Sequence, residues 1–370
     1  MSEILFFPWL KISEPVYFEN FGLLPYEKEN KENYVKRYDQ KVVSALEESL
    51  DHFYESSDSS DRKIDGATIL SINAQITHEI DEALEVKLAS LIELIAFCGL
   101  SDRDFFRNGE SYCNRDNFQL KRFSVESNSV AYKVITRRRD GSNKNIIPKN
   151  SFREIIPNHV LKLRVKLNDK FLQSLVSAQS RLENWDDIFQ GIANFNLSNS
   201  DNSSTSETME LVFLVSAFER LLGCKNGKED DLANKFIELF DVSINMNISD
   251  CVRLQDKDKR GRFKSCNSIQ EIWMKDLFRL RGNLAHGRHP KSYPSLWTLK
   301  EHLLLSSFIF PLALKECFSK QNVYTKGCDY HRLVNFFFPR ILCQADISRW
   351  REVQIESLLS VVKIPGVHLS

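Results

Sequence analysis

The strongest constraint on this chain is a change of hydrophobic period near residue 170. Upstream, apolar and polar residues alternate in short runs, the period of a half-buried strand. Downstream, apolar residues recur at steps of three and four, the period of an amphipathic helix. Helical segments also occur among the upstream strands, but from about residue 170 only the helical period remains, which predicts an α+β chain. We expect a mixed α/β N-terminal region over 1–174, an all-α helical bundle over 175–325, and a helical extension over 326–370 packed on that bundle. A length of 370 residues fits two or three domains.

Upstream, residues 1–40 read as short strands and loops rich in aromatics. In 41–56, Val43, Leu46, Leu50 and Phe53 fall at helical intervals and predict a helix. "SSDSSDRK" (56–63) reads as a turn or exposed loop, and "GATILSINAQI" as a strand. Residues 79–100 predict a strong helix ending near Gly99. Residues 118–136 alternate around "ESNS" and predict a β-hairpin, followed by a basic loop, "RRRDGSNKN" (137–145), with an Asp-Gly turn signal. "HVLKLRVKL" (159–167) alternates like another strand. No motif in this half carries recognisable chemistry.

Downstream, 169–199 reads as helical, in one piece or two. A polar loop at 198–208 offers Thr205, Ser206 or Thr208 to cap the next helix. That helix, 207–223, carries a stripe of Leu211, Val215, Phe218 and Leu222, with Gly223 as its stop. A second amphipathic helix covers 230–240, and a charged loop covers 255–265. A third covers 268–287, with Ile269, Trp273, Leu277, Leu280 and Leu284 on one face. A fourth covers 294–318, with Pro311 as a candidate kink.

Composition limits the function. Lys and Arg total 50 and Asp and Glu total 50, so no global field recruits a polyanion; any basic function must be local. The eight cysteines form no CxxC pair and match no zinc spacing. They read as buried, reduced thiols, and a cytoplasmic location is expected. The N-terminus has no basic leader, and the longest apolar runs fall short of the roughly 18 residues that span a bilayer. No membrane partner is expected.

The chemistry concentrates in "FRLRGNLAHGRHP" (278–290), which gathers Arg279, Arg281, His286, Arg288 and His289 at a helix end. Arg281 and His286 are spaced R-x4-H. An arginine fork can bind two phosphate oxygens without losing its proton. A histidine titrating near ~6.5 can move protons at neutral pH. No metal and no cofactor are expected, and the sequence lacks a carboxylate cluster.

The same stretch resembles the signature of HEPN domains. "IANFNLSNS", "ELVFLVSAFERLLG" and "LFRLRGNLAHG" together resemble the ApeA-like HEPN group over roughly 183–320. That group commonly has a polar residue directly after the arginine; here it is Gly282, with Asn283 one place later. The resemblance implies an all-α HEPN bundle and a metal-independent endoribonuclease that cuts tRNA or mRNA by 2′-OH attack, leaving a 2′,3′-cyclic phosphate. It implies a toxin-like role in antiphage defence by abortive infection. It also implies a homodimer with two motifs facing one cleft, and an N-terminal region that answers a regulatory partner or phage trigger. The alternative is a catalytically inactive HEPN module for dimerisation or RNA binding.

Arg281 and His286 are the expected catalytic pair. On an ideal helix they lie about 140° apart, so they converge only if the helix ends or loosens near Ala285–Gly287, as Gly287 and Pro290 suggest, or if a second chain completes the site. Arg279 lies about 20° from His286 and could serve phosphate too. Asn283 could orient His286 or cap carbonyls. Glu219 could orient Arg281 or His286, or be an ordinary surface glutamate. The basic loops at 137–141 and 257–264 read as solvated loops or RNA backbone contacts, and Phe336–Phe338 as core or interface.

Overall fold

Alternation near the N-terminus does make strands, and their partners are set by burial. The computed structural model describes residues 2–327 and 342–343, apart from 58–59, 104–112, 126–130, 139–140, 149–150, 158–163, 201–204, 225–226, 241–247, 249–250, 256–260 and 290–292. The chain divides into two units, Met1–Ile95 with Glu110–Asp169, and Ala96–Gly109 with Lys170–Ser370. The division after Asp169 lies close to the expected 174, but it also passes inside a helix, α3 (Glu82–Ser101).

The first unit is built on an antiparallel sheet. Its strands are β1 (Glu3–Phe7), β2 (Val16–Phe18), β3 (Phe21–Glu27), β6 (Gly66–Ile72), β7 (Thr77–His78) and β8 (Lys121–Ser124). The order is β2-β3-β6-β1-β7, with β8 also paired to β1. β6 is buried along its whole length because it lies between β3 and β1. A second sheet joins β4 (Phe53–Ser57), β5 (Ser60–Lys63) and β11 (Glu154–Pro157), with β11 parallel to β4. α1 (Lys31–Arg37) and α2 (Gln40–Leu50) precede β4. The core unites Phe6, Trp9, Tyr26, Leu46, Leu50, Phe53 and Ile69.

Several local expectations change here. A short helix, α1, forms within residues read as strands and loops. α2 stops at Leu50, and Phe53 opens β4 instead of extending the helix. The Phe53 ring meets Phe6 at 5.7 Å and Trp9 at 5.6 Å, both edge-on, and this tertiary packing overrides the helical spacing. Residues 56–63, read as a loop, complete the β4–β5 pair. The hairpin expected at 118–136 does not form: β8 pairs with β1, while β9 (Ala131–Arg138) pairs with β10 (Gly141–Pro148). Of the basic loop expected at 137–145, residues 137–138 belong to β9 and 141–145 to β10, and 139–140 lie outside the described residues. Helix α3 continues past Gly99 to Ser101. Of the strand expected over 159–167, residues 164–167 are irregular and the rest lies outside the described residues.

The second unit is helical. It contains α4 (Asp169–Arg181, from Lys170 on), α5 (Trp185–Leu197), α6 (Glu207–Leu221), α7 (Glu229–Phe240), α8 (Ile269–Ala285) and α9 (Leu299–Lys320), with the last residues of α3. Rings knit its centre: Phe195 stacks on Phe310 at 4.9 Å, Phe218 meets Phe310 edge-on at 5.2 Å, and Trp273 meets Phe218 at 6.0 Å. All five stripe residues of α8 are buried, each contributing about 1.5–3 kcal/mol by leaving water. On α6 the stripe ends on Leu221, while Leu222 is the half-buried cap residue.

Side-chain caps fix the helix starts. Ser206 caps α6 through the Met209 N–H, and Ser268 caps α8 through the Glu271 N–H. Thr298 and Glu301 form a reciprocal box at α9, which continues through Pro311. Among the described residues α9 alone is long and apolar enough to cross a membrane, and 78% of that stretch is buried in the protein. The described cysteines are all in the thiol form; Cys224 and Cys317 are half-buried and the other five buried. The expected extension over 326–370 and Phe336–Phe338 lie almost entirely outside the described residues.

Candidate functional site

The R-x4-H motif occupies the last turn and a half of α8. The helix stays regular to its end: the His286 N–H donates to the Gly282 carbonyl at 3.2 Å. Gly287 then takes φ +71°, the left-handed conformation that ends helices at low cost to glycine. Its N–H donates to the Leu284 carbonyl at 2.9 Å, and the Arg288 N–H to the Asn283 carbonyl at 3.1 Å. These two bonds make a Schellman motif and stop α8 just after His286.

Because the helix does not loosen, the angular separation of Arg281 and His286 persists. Arg281 turns to α6, where its Nη2 donates to Glu219 Oε1, and its guanidinium lies 4.6 Å from the centre of the Phe278 ring. Burial pushes the Glu219 carboxyl above its ordinary range, and the charge and hydrogen bond of Arg281 oppose that shift without cancelling it.

His286 is exposed and lines a shallow groove of about 330 Å³ with Glu229, Phe278, Arg279, Gly282, Asn283, Arg288 and Tyr293. Its imidazole has no hydrogen-bond or ionic partner among the described residues. Arg281 does not line this groove; Arg279 does. Arg279 donates through Nε and Nη2 to both oxygens of Glu229, at 2.8 and 2.7 Å. Asn283 donates to the Arg279 carbonyl at 2.9 Å and accepts from Arg288 Nη1 at 3.3 Å. Asn283 thus caps backbone and steadies Arg288; it is not bonded to His286.

Compared with family models, curated proteins and solved structures, the chain matches none.

Sequence reasoning missed a polar cluster behind the groove. Asp276, fully buried on α8, accepts from Tyr293 Oη at 3.1 Å, Ser295 Oγ at 2.6 Å, and the N–H groups of Leu296 and Trp297 at 2.9 and 3.3 Å. Its Oδ2 also lies 3.2 Å from His302 Nε2. Burial works to raise this carboxyl, but hydrogen bonds from His302 and Ser295 and the Trp297 N–H, with the His302 charge, hold it below the usual range.

The cluster has the residue types of a hydrolytic triad without its geometry. Ser295 Oγ lies 3.3 Å from the same Nε2 that faces Asp276, whereas a triad engages opposite ring nitrogens. His302 and Asp276 are sealed from solvent. This network is structural: it ties the 293–298 segment to α8 and α9 and holds Tyr293 at the groove. The one clue in the sequence is an aspartate on the apolar side of a helix.

Among the described residues no group of three His, Cys, Asp or Glu side chains could hold a metal ion. The chemistry available at the groove is proton transfer by His286 and anion binding by Arg279 and Arg288.

Proposed function

We propose that this protein is a metal-independent endoribonuclease of the HEPN type that cleaves RNA by attack of the ribose 2′-OH on its own phosphate. The observation that carries this reading is His286: an exposed imidazole without a partner among the described residues, in a groove lined by Arg279 and Arg288. Such an imidazole can take the 2′-OH proton and return one to the leaving 5′-oxygen. Arginines bind the phosphate oxygens and stabilise the charge that builds on them.

Arg281 enters through a second chain. Within one chain its guanidinium is held by Glu219, on a face of α8 other than that of His286. A homodimer with α8 ends apposed would set Arg281 of one copy beside His286 of the other. The resemblance to the ApeA-like group supports this arrangement, together with tRNA or mRNA as target and a role in abortive infection.

Incubation of the purified protein with total RNA in EDTA tests the proposal. Cleavage persists in EDTA and leaves 2′,3′-cyclic phosphate ends, and His286→Ala or Arg281→Ala lowers the rate by roughly 10²–10⁴-fold with folding intact. Undiminished cutting by His286→Ala refutes the assignment. A second reading, a non-catalytic RNA-binding or dimerisation module, is favoured by the Arg281–Glu219 pair, since that guanidinium is already engaged. RNA binding without cleavage at any protein concentration would establish it.

A further inference from the structure

Among the described residues lining the groove, Glu229 is the sole acid. It is the first residue of α7, and its carboxylate fills the Nε–Nη2 fork of Arg279 with two parallel bonds of 2.8 and 2.7 Å. The same fork accepts two oxygens of a phosphate with equivalent geometry. Arg279 is also held from its other sides: its guanidinium lies 4.7 Å from the centre of the Phe263 ring, and Nη1 approaches the Arg262 carbonyl at 3.5 Å. A phosphate arriving in the groove therefore meets this arginine already aimed and displaces only the carboxylate.

The surroundings favour an anion other than Glu229. Arg288 and His286 share the groove. Arg262 reaches towards the same wall, with its guanidinium 5.3 Å from the Tyr293 ring centre. Its Nη1 is buried and has no hydrogen-bond partner among the described residues. The Phe278 and Tyr293 rings line the same groove.

We propose that Glu229 occupies the seat of an RNA backbone phosphate on Arg279, and that RNA binding proceeds by exchanging this carboxylate for the phosphate. The identity of the ligand rests on the ribonuclease reading. The exchange keeps Arg279 paired throughout, so its cost is the release of Glu229 to water and not the loss of an ion pair. Glu229 thereby acts as an internal competitor that weakens RNA binding until the correct strand is seated.

The test uses the full chain carrying His286→Ala, so that RNA stays intact, and a short fluorescent single-stranded RNA at low salt. Adding Glu229→Gln tightens binding roughly three- to tenfold, through loss of one competing charge. The gain disappears when Arg279→Ala is also present. Unchanged affinity with an intact melting transition, an equal gain in the Arg279→Ala background, or no binding by any variant overturns the proposal.

Should Glu229→Gln fail to fold, the Arg279 Nε–H resonance of the His286→Ala chain, assigned with Arg279→Lys, gives a second readout. It shifts on RNA titration, and a resonance unmoved at saturating RNA overturns the exchange. Tighter binding by Glu229→Gln in a protein that never cuts RNA supports the seat and sinks the nuclease. Cutting that depends on His286, with no effect of Glu229→Gln on binding, does the reverse.

Discussion

Asp276 shows how much one side chain can organise. It receives bonds from Tyr293, Ser295 and two backbone N–H groups and lies against His302, with no solvent contact. Removing a partner from so buried a charge network costs about 3–5 kcal/mol. Asp276→Asn should therefore lower the melting temperature sharply, in a measurement by circular dichroism. The carboxyl is held below its unfolded value, so its stabilisation is full above an unfolded pKa near 3.8 and is lost as pH falls through the folded one. The wild type should lose stability on that acid limb, and Asp276→Asn should flatten it; an unchanged limb would show that another group governs it. None of these partners is legible in the sequence, because they lie 17 to 26 residues from Asp276 and no periodicity links them. The same holds for Arg279 and Glu229, 50 residues apart.

Elements were more legible than contacts, where local chemistry and burial agree. The α8 stripe and the Ser206 cap of α6 were read from residues within a few positions of one another, while the Ser268 cap and the Thr298–Glu301 box went unread. Phe53 and β8 were misread for the opposite reason: their partners, Phe6, Trp9 and β1, lie far away in sequence and outvote local spacing. Gly287 carries the element-scale prediction. At φ +71° an added Cβ meets nothing within 4 Å, so the penalty of Gly287→Ala is conformational alone. It should cost about 1 kcal/mol in denaturant unfolding, whereas Gly282→Ala, inside the helix with open space, should stabilise by about 0.5–1 kcal/mol. Equal or reversed effects would mean that the helix end rearranges.

At the scale of the molecule, the change to an all-helical period did foretell an α+β chain, while the proposed pairing of copies rests on the resemblance and on the separation of Arg281 from His286. Symmetry makes that pairing testable. If Arg281 and His286 act across a two-fold interface, mixing inactive Arg281→Ala and inactive His286→Ala chains regenerates one intact site in each mixed dimer. Random reassortment should then restore about a quarter of wild-type ribonuclease activity. Mixtures as dead as their parents, after exchange is verified, would place both residues in a single copy. Tyr293 sits where the core meets the groove. Its hydroxyl is moored to Asp276 in the dry interior, which fixes that one ring in the wall of the groove. A molecule entering there meets one ring already held in place, so that side chain adds little ordering cost on arrival.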